Sequence, residues 1–109
     1  MISYFVRYRG SAADPTAFVD YYATRHAAIL KEFPGIRSLS LHEPAVWNDP
    51  FPVRHDGAAL LAQMTFGTPA DLQRALHSEA RRRARDDFGR FPSFAGEVTH
   101  QAMSSSIVF

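Results

Sequence analysis

Residues 57–66 read Gly-Ala-Ala-Leu-Leu-Ala-Gln-Met-Thr-Phe, the most apolar run of the chain. Leu60, Ala62 and Met64 alternate with Ala59 and Leu61, so both faces of a strand here carry apolar groups, which suits the middle of a sheet. Gly67 and then Thr68-Pro69-Ala70-Asp71 follow at once. Thr68 is a helix cap, Pro69 takes the first helical position, and Asp71 stands where a capping-box acid would. A central strand therefore runs directly into a helix.

Outward from this point the same signals recur. Upstream, Pro44 to Asp56 is a loop with three prolines, and Ile36 to Glu43 is a strand with Ser38, Ser40 and His42 on one face and Leu39 and Leu41 on the other. Pro34-Gly35 stops a helix that begins at Asp14-Pro15 and runs to about Phe33. Gly10 to Ala13 is a loop, and Ile2 to Arg9, rich in aromatic and β-branched residues, is the first strand. Downstream, the second helix turns Leu72, Ala75 and Leu76 inward, breaks near Ser78, and continues through Ala80, Ala84 and Phe88 to Gly89–Pro92. Phe94 to about Met103 is the last strand, and Ser104 to Phe109 a tail. The order β-α-β-β-α-β is that of a ferredoxin-like α+β fold, a four-stranded antiparallel sheet with both helices on one face.

The chain has 109 residues, 46 % apolar and 21 % charged, which suits one globular domain spanning 1–109. Twelve basic and eleven acidic residues leave a net charge of +1, no sign of a nucleic-acid or anionic-membrane partner. With no cysteine there is no disulfide scaffold, thiolate nucleophile or iron–sulfur cluster. MISYFVRYRG lacks the pattern of a signal peptide, and no run approaches the roughly 18 apolar residues of a membrane span. The expectation is a soluble cytoplasmic protein. The first and third strands are central in this topology and apolar on both sides: Tyr4, Val6 and Tyr8 oppose Phe5, as Leu60, Ala62 and Met64 oppose Ala59 and Leu61. A monomer would leave one such face in water, so a homodimer closed sheet to sheet is expected.

Phe18, Tyr22, His26, Ile29 and Phe33 form one helical stripe at about 100° per residue. His26 thus faces the sheet, where imidazole suits acid–base work on a small carbon acid, or is a core histidine satisfied by its neighbours. Tyr22, one turn earlier, either orients the imidazole and bonds a substrate oxygen or is plain core. The expected cavity is lined by Tyr22, His26, Phe66, Phe88 and Phe91, with Trp47 near its mouth, and takes a small hydrophobic molecule. His42 and His100, on the two edge strands, point into it or away, since a one-residue slip reverses a strand's facing. His55 and His77 are rim or solvent residues. No H-x-H, H-x-x-x-H or H-E-x-x-H spacing and no glycine-rich phosphate loop occurs, so neither a metal nor an organic cofactor is expected. Arg81-Arg82-Arg83-Ala84-Arg85 reads as a solvated helix face.

The run from Phe18 to Leu30, FVDYYATRHAAIL, resembles the F-x-x-Y-Y-x-x-x-H first helix of EthD-like proteins. Phe33-Pro34-Gly35-Ile36-Arg37-Ser38 is similar to that family's turn into the second strand, and Met64 to Leu72 to its strand-to-helix turn. Ala75-Leu76-His77-Ser78-Glu79, the Asp86-Asp87-Phe88 stretch and Phe91 extend the resemblance over nearly the whole chain. It implies a dimeric α+β barrel. The family takes its name from a gene cluster for degrading ethyl tert-butyl ether through a cytochrome P450. Its superfamily includes cofactor-free monooxygenases, muconolactone isomerases and polyketide cyclases. Gln63 and Thr65 depart from the acidic and aromatic residues many relatives carry there.

Three functions compete. One is a small cofactor-independent enzyme of oxidoreductase, monooxygenase or isomerase type, with His26 and Tyr22 catalytic. The second is a non-catalytic carrier of a small hydrophobic molecule that assists a separate oxidase. The third, an RNA-recognition module, needs a basic residue and stacking aromatics that ALLAQMTF lacks.

Overall fold

A computed structural model describes residues 1–109. Strands β1 (Ile2–Ala12), β2 (Ile36–His42), β3 (Ala58–Phe66) and β4 (Phe94–Ser104) form one antiparallel sheet in the order β2-β3-β1-β4. The two central strands are the two-sided apolar ones. Helices α1 (Pro15–Tyr21), α2 (Ala27–Leu30), α3 (Pro69–Leu76) and α4 (Glu79–Asp87) connect the strands on one side of the sheet. The caps are those expected: Asp14 accepts from the Ala17 amide and Thr68 from the Asp71 amide. Ser78 makes the break between α3 and α4, donating to the Ala75 carbonyl while accepting from the Arg81 amide. No helix is long and apolar enough to cross a membrane.

Two elements differ from the expectation. β1 continues through Gly10 to Ala12 where a loop was read. Gly10 faces Gly96 on β4, at φ 141° and 153°, and a Cβ on either would stand 2.1–2.2 Å from the opposite backbone carbonyl. Only the paired glycines let the two backbones cross this closely, so the ladder runs on. The first helix, in turn, is not uniformly α-helical. Residues Tyr22–His26 form a π-helical turn, with the Ala27 amide reaching the Tyr22 carbonyl five residues back. The wider turn changes which residues face inward: Phe18, Tyr22, His26, Leu30 and Phe33 are buried, so Leu30 replaces Ile29 in the stripe.

The core lies between sheet and helices. Tyr4, Val6 and Tyr8 of β1 and Leu60, Ala62, Met64 and Phe66 of β3 meet Phe18, Leu30, Leu72, Ala75 and Ala84. The opposite face is more polar than strand alternation suggests. His42 Nε2 bonds Gln63 at 3.1 Å, Gln63 donates to Ser3, and Ser3 bonds Ser105 at 2.7 Å, a polar row across the sheet. Phe5 and Leu61 are only partly covered beside it.

Candidate functional site

The π-helical turn presents Tyr22 and His26 to a cavity of about 330 Å³ between α4 and the sheet. Tyr4, Val6, Tyr8 and Met64 form its floor, and ten of its fourteen lining residues are hydrophobic. His26 is 6 % exposed, and its Nδ1 lies 2.9 Å from Asp87 Oδ2. The Tyr21 hydroxyl donates to the other oxygen, Oδ1, at 2.7 Å. With Asp87 accepting, Nδ1 carries the proton and Nε2 of the neutral ring has a free lone pair. No protein group bonds Nε2. The one fully buried side-chain polar atom without a hydrogen bond is Arg7 Nε, elsewhere on the sheet and ion-paired with Asp56, so Nε2 retains surface, and His26 lines the cavity.

Burial lowers the His26 pKa, and the Asp87 hydrogen bond and charge only partly offset it; the ring is neutral at neutral pH. Burial works to raise Asp87, but hydrogen bonds from Tyr21 and His26 and the charges of His26 and Arg90 outweigh it and hold the carboxyl below its usual value. Tyr22 is pushed well above the ordinary phenol range by burial and then by the neighbouring Tyr8 phenol. Tyr8 is raised to about 12 by burial, against the influence of Tyr22 and the Arg85 charge. Both phenols therefore act only as neutral groups. The Phe91 ring stands edge-on to His26 at 4.7 Å and the Tyr22 ring lies tilted at the same distance, fixing the imidazole plane. The arrangement is a positioned base with an orienting carboxylate, open to an apolar chamber, and no cluster of three or more metal-binding side chains is present.

The EthD domain family matches residues 11–95, most of the chain. The chain belongs to the EthD domain family. An ethyl tert-butyl ether d family protein from Bacillus halodurans C-125 is similar in structure at a TM-score of 0.71 and 17 % identity, over 97 % of this chain and 100 % of that one. A monooxygenase of Streptomyces coelicolor, in complex with the ligand nanaomycin D, gives 0.70 at 14 % identity over 99 % and 89 %. SnoaB, a cofactor-independent oxygenase from Streptomyces nogalater, gives 0.62 at 15 % over 98 % and 94 %. At these identities the likeness carries the fold alone, a four-stranded antiparallel sheet with its helices on one face. Comparison with curated proteins found no match.

Within this EthD domain the expected residues separate into two groups. Tyr22, His26, Phe88 and His100 line the cavity. His100 is on the helix side of β4, its Nδ1 2.8 Å from the Tyr4 hydroxyl. Phe91 backs His26 and Tyr22 rather than lining the cavity, because the chain turns there from a 3₁₀ segment (Phe88–Arg90) toward β4. Three further candidates lie elsewhere. Phe66 is fully buried in the core at the end of β3, away from the chamber. His42 faces the other side of the sheet, because the β2–β3 register sets it opposite Leu61. Trp47 is half exposed and stacks on His55 at 4.7 Å, over a shallow groove that His42 also lines. Asp87, which enters the sequence reading only within the Asp86-Asp87-Phe88 stretch, is the functional residue that reading lacks. Its signal was its place seven residues after Ala80 on the stripe Ala80–Ala84–Asp87. Arg81 and Arg85, read as solvated, border the cavity, Arg81 half-buried and Arg85 still exposed.

Proposed function

We propose that this EthD domain is a cofactor-independent enzyme acting on a small hydrophobic compound, with His26 as general base, Asp87 as its orienting residue and Tyr22 as a neutral hydroxyl in the pocket. The carrying observation is the His26–Asp87 pair: its free Nε2 faces an apolar chamber large enough for a small aromatic or lactone molecule. The base would remove a proton from a carbon or enol acid. The resulting anion is the common starting point for isomerisation by reprotonation and for reaction with dioxygen. The similar cofactor-independent oxygenase and the monooxygenase with its bound ligand support the oxygenase branch by fold analogy.

We also propose a homodimer formed over the open sheet face and acting in the cytoplasm, the whole chain serving as one domain. Val46, Trp47 and Phe51 of the long loop, Ile107, Val108 and Phe109 of the tail and Met103 on β4 are exposed, and a partner subunit would cover apolar side chains of this kind.

Proton abstraction can be read before the natural substrate is known. A panel of hydroxynaphthalenes and γ-lactones is incubated in D₂O and carbon-bound deuterium followed by NMR. The expected result is catalysed exchange in at least one compound, reduced by roughly 10²- to 10⁴-fold in His26→Gln. Compounds that bind in the cavity but never exchange faster than in buffer would favour a carrier instead.

A further inference from the structure

We infer that the cavity takes an apolar molecule bearing a carboxylate, bound through Arg81 and Arg85. This rests on the proposal that the cavity is a ligand site and adds the chemical class of the ligand.

Helix α4 carries four arginines, and they divide cleanly. Arg82 pairs with Glu79 at 2.9 Å and Arg83 pairs with Glu32. Arg81 and Arg85 have no carboxylate within ion-pairing distance, and both line the cavity. They stand one turn apart on the flank that also carries Phe88, so like charges are placed side by side, an arrangement that disfavours the helix unless an anion joins them. No aspartate or glutamate lines the chamber, and the remaining polar groups there are Tyr4, Tyr8, Tyr22, His26 and His100. The Arg81 guanidinium carbon lies 5.9 Å from the centre of the Tyr4 ring, whose hydroxyl bonds His100. His100 is held below the usual histidine range by burial and then by these two arginine charges, so it remains a neutral neighbour. Two guanidinium forks at one side of an otherwise apolar space fit one carboxylate with a hydrophobic body. His26 stands on the same chamber, within reach of that body.

The test uses 2-naphthoate and its uncharged counterpart 2-naphthamide, titrated calorimetrically into the full chain at low ionic strength. Naphthoate is expected to bind about 10- to 100-fold more tightly than naphthamide. The double variant Arg81→Met/Arg85→Met should bring the two affinities together by weakening naphthoate alone, with the circular dichroism spectrum unchanged. Added salt should weaken naphthoate and spare naphthamide in the unmodified protein. Equal affinities for acid and amide would overturn this inference while leaving the cavity a ligand site. An acid preference that survives in the folded double variant would overturn the assignment to Arg81 and Arg85. Binding of neither compound would overturn the inference together with the reading beneath it.

Discussion

Asp87 makes His26 a base of one defined tautomer, so exchanging its carboxylate for an amide should cost more than a hydrogen bond. In Asp87→Asn the amide can donate to Nδ1 as well as accept, and the ring can flip its proton onto Nε2. Catalysed exchange should fall by roughly 10²-fold or more. The lost charge also removes what partly supports the protonated ring, so the His26 pKa should drop further, measurable by NMR titration of the imidazole. A rise would mean that Asp87 does not sit against it in solution. The same imidazole shapes acid stability. Its folded pKa lies below the ordinary value of 6.5, so on acidification the unfolded chain binds the proton first and stability falls as pH drops through that range. In urea unfolding at pH 7 and pH 5, His26→Gln should lose less stability than the parent, with the remaining slope from His100, whose pKa is also lowered. Equal losses would show that His26 is not held neutral. At still lower pH, Asp87 stabilisation, present above the ordinary carboxyl value of 3.8, is lost as pH falls through its folded pKa. His26 and Tyr22 were visible in the sequence as polar tips on an apolar stripe. Asp87 was not, because its partners are Tyr21 and His26, 61 and more residues away.

Strand β1 was legible as a strand from its aromatic alternation, but its last three residues were not. Gly10 reads as a loop glycine and Gly96 as a lone glycine in the last strand until the β1–β4 register sets them face to face. Gly96→Ala would drive a methyl group to 2.1 Å from the Arg9 carbonyl at φ 153° and should destabilise the fold by about 2–4 kcal/mol. Gly10→Ala should cost a similar amount, and the double variant less than the sum, since either methyl already opens the same crossing. Gly89, with nothing within 4 Å of its would-be Cβ, is the control: Gly89→Ala should leave the urea midpoint unchanged or raise it. The helix boundaries were readable because Asp14, Thr68 and Ser78 bond amides within their own first turns. The π-helical turn was not readable, because it follows from which side chains the sheet accepts: Leu30, not Ile29, enters the core after it.

Most of the exposed large apolar side chains stand in two places, the loop around Trp47 and the tail. A tail that is polar and then apolar over its last three residues needs a partner or an edge strand to rest on. Ser105 closes on Met1 and Ser3, but Ile107, Val108 and Phe109 then leave the sheet, so the chain's own edge is not their support. Sedimentation at micromolar concentration should give about 24 kDa, twice the 12.2 kDa chain, as expected for a closed two-fold pair. Removing residues 106–109 should weaken association; a 12 kDa species in the intact chain, or unchanged association without the tail, would count against the interface. By itself the sequence determined the element order and the caps, because those follow from local hydrogen bonds and from periods of 2 and 3.6 residues. Only the tertiary structure decided that His100 faces the cavity and His42 does not, that Asp87 meets His26, and that two of the four arginines of α4 border the cavity. Those outcomes depend on strand register and on where α4 lies over the sheet, and both are set by packing between residues far apart in the chain.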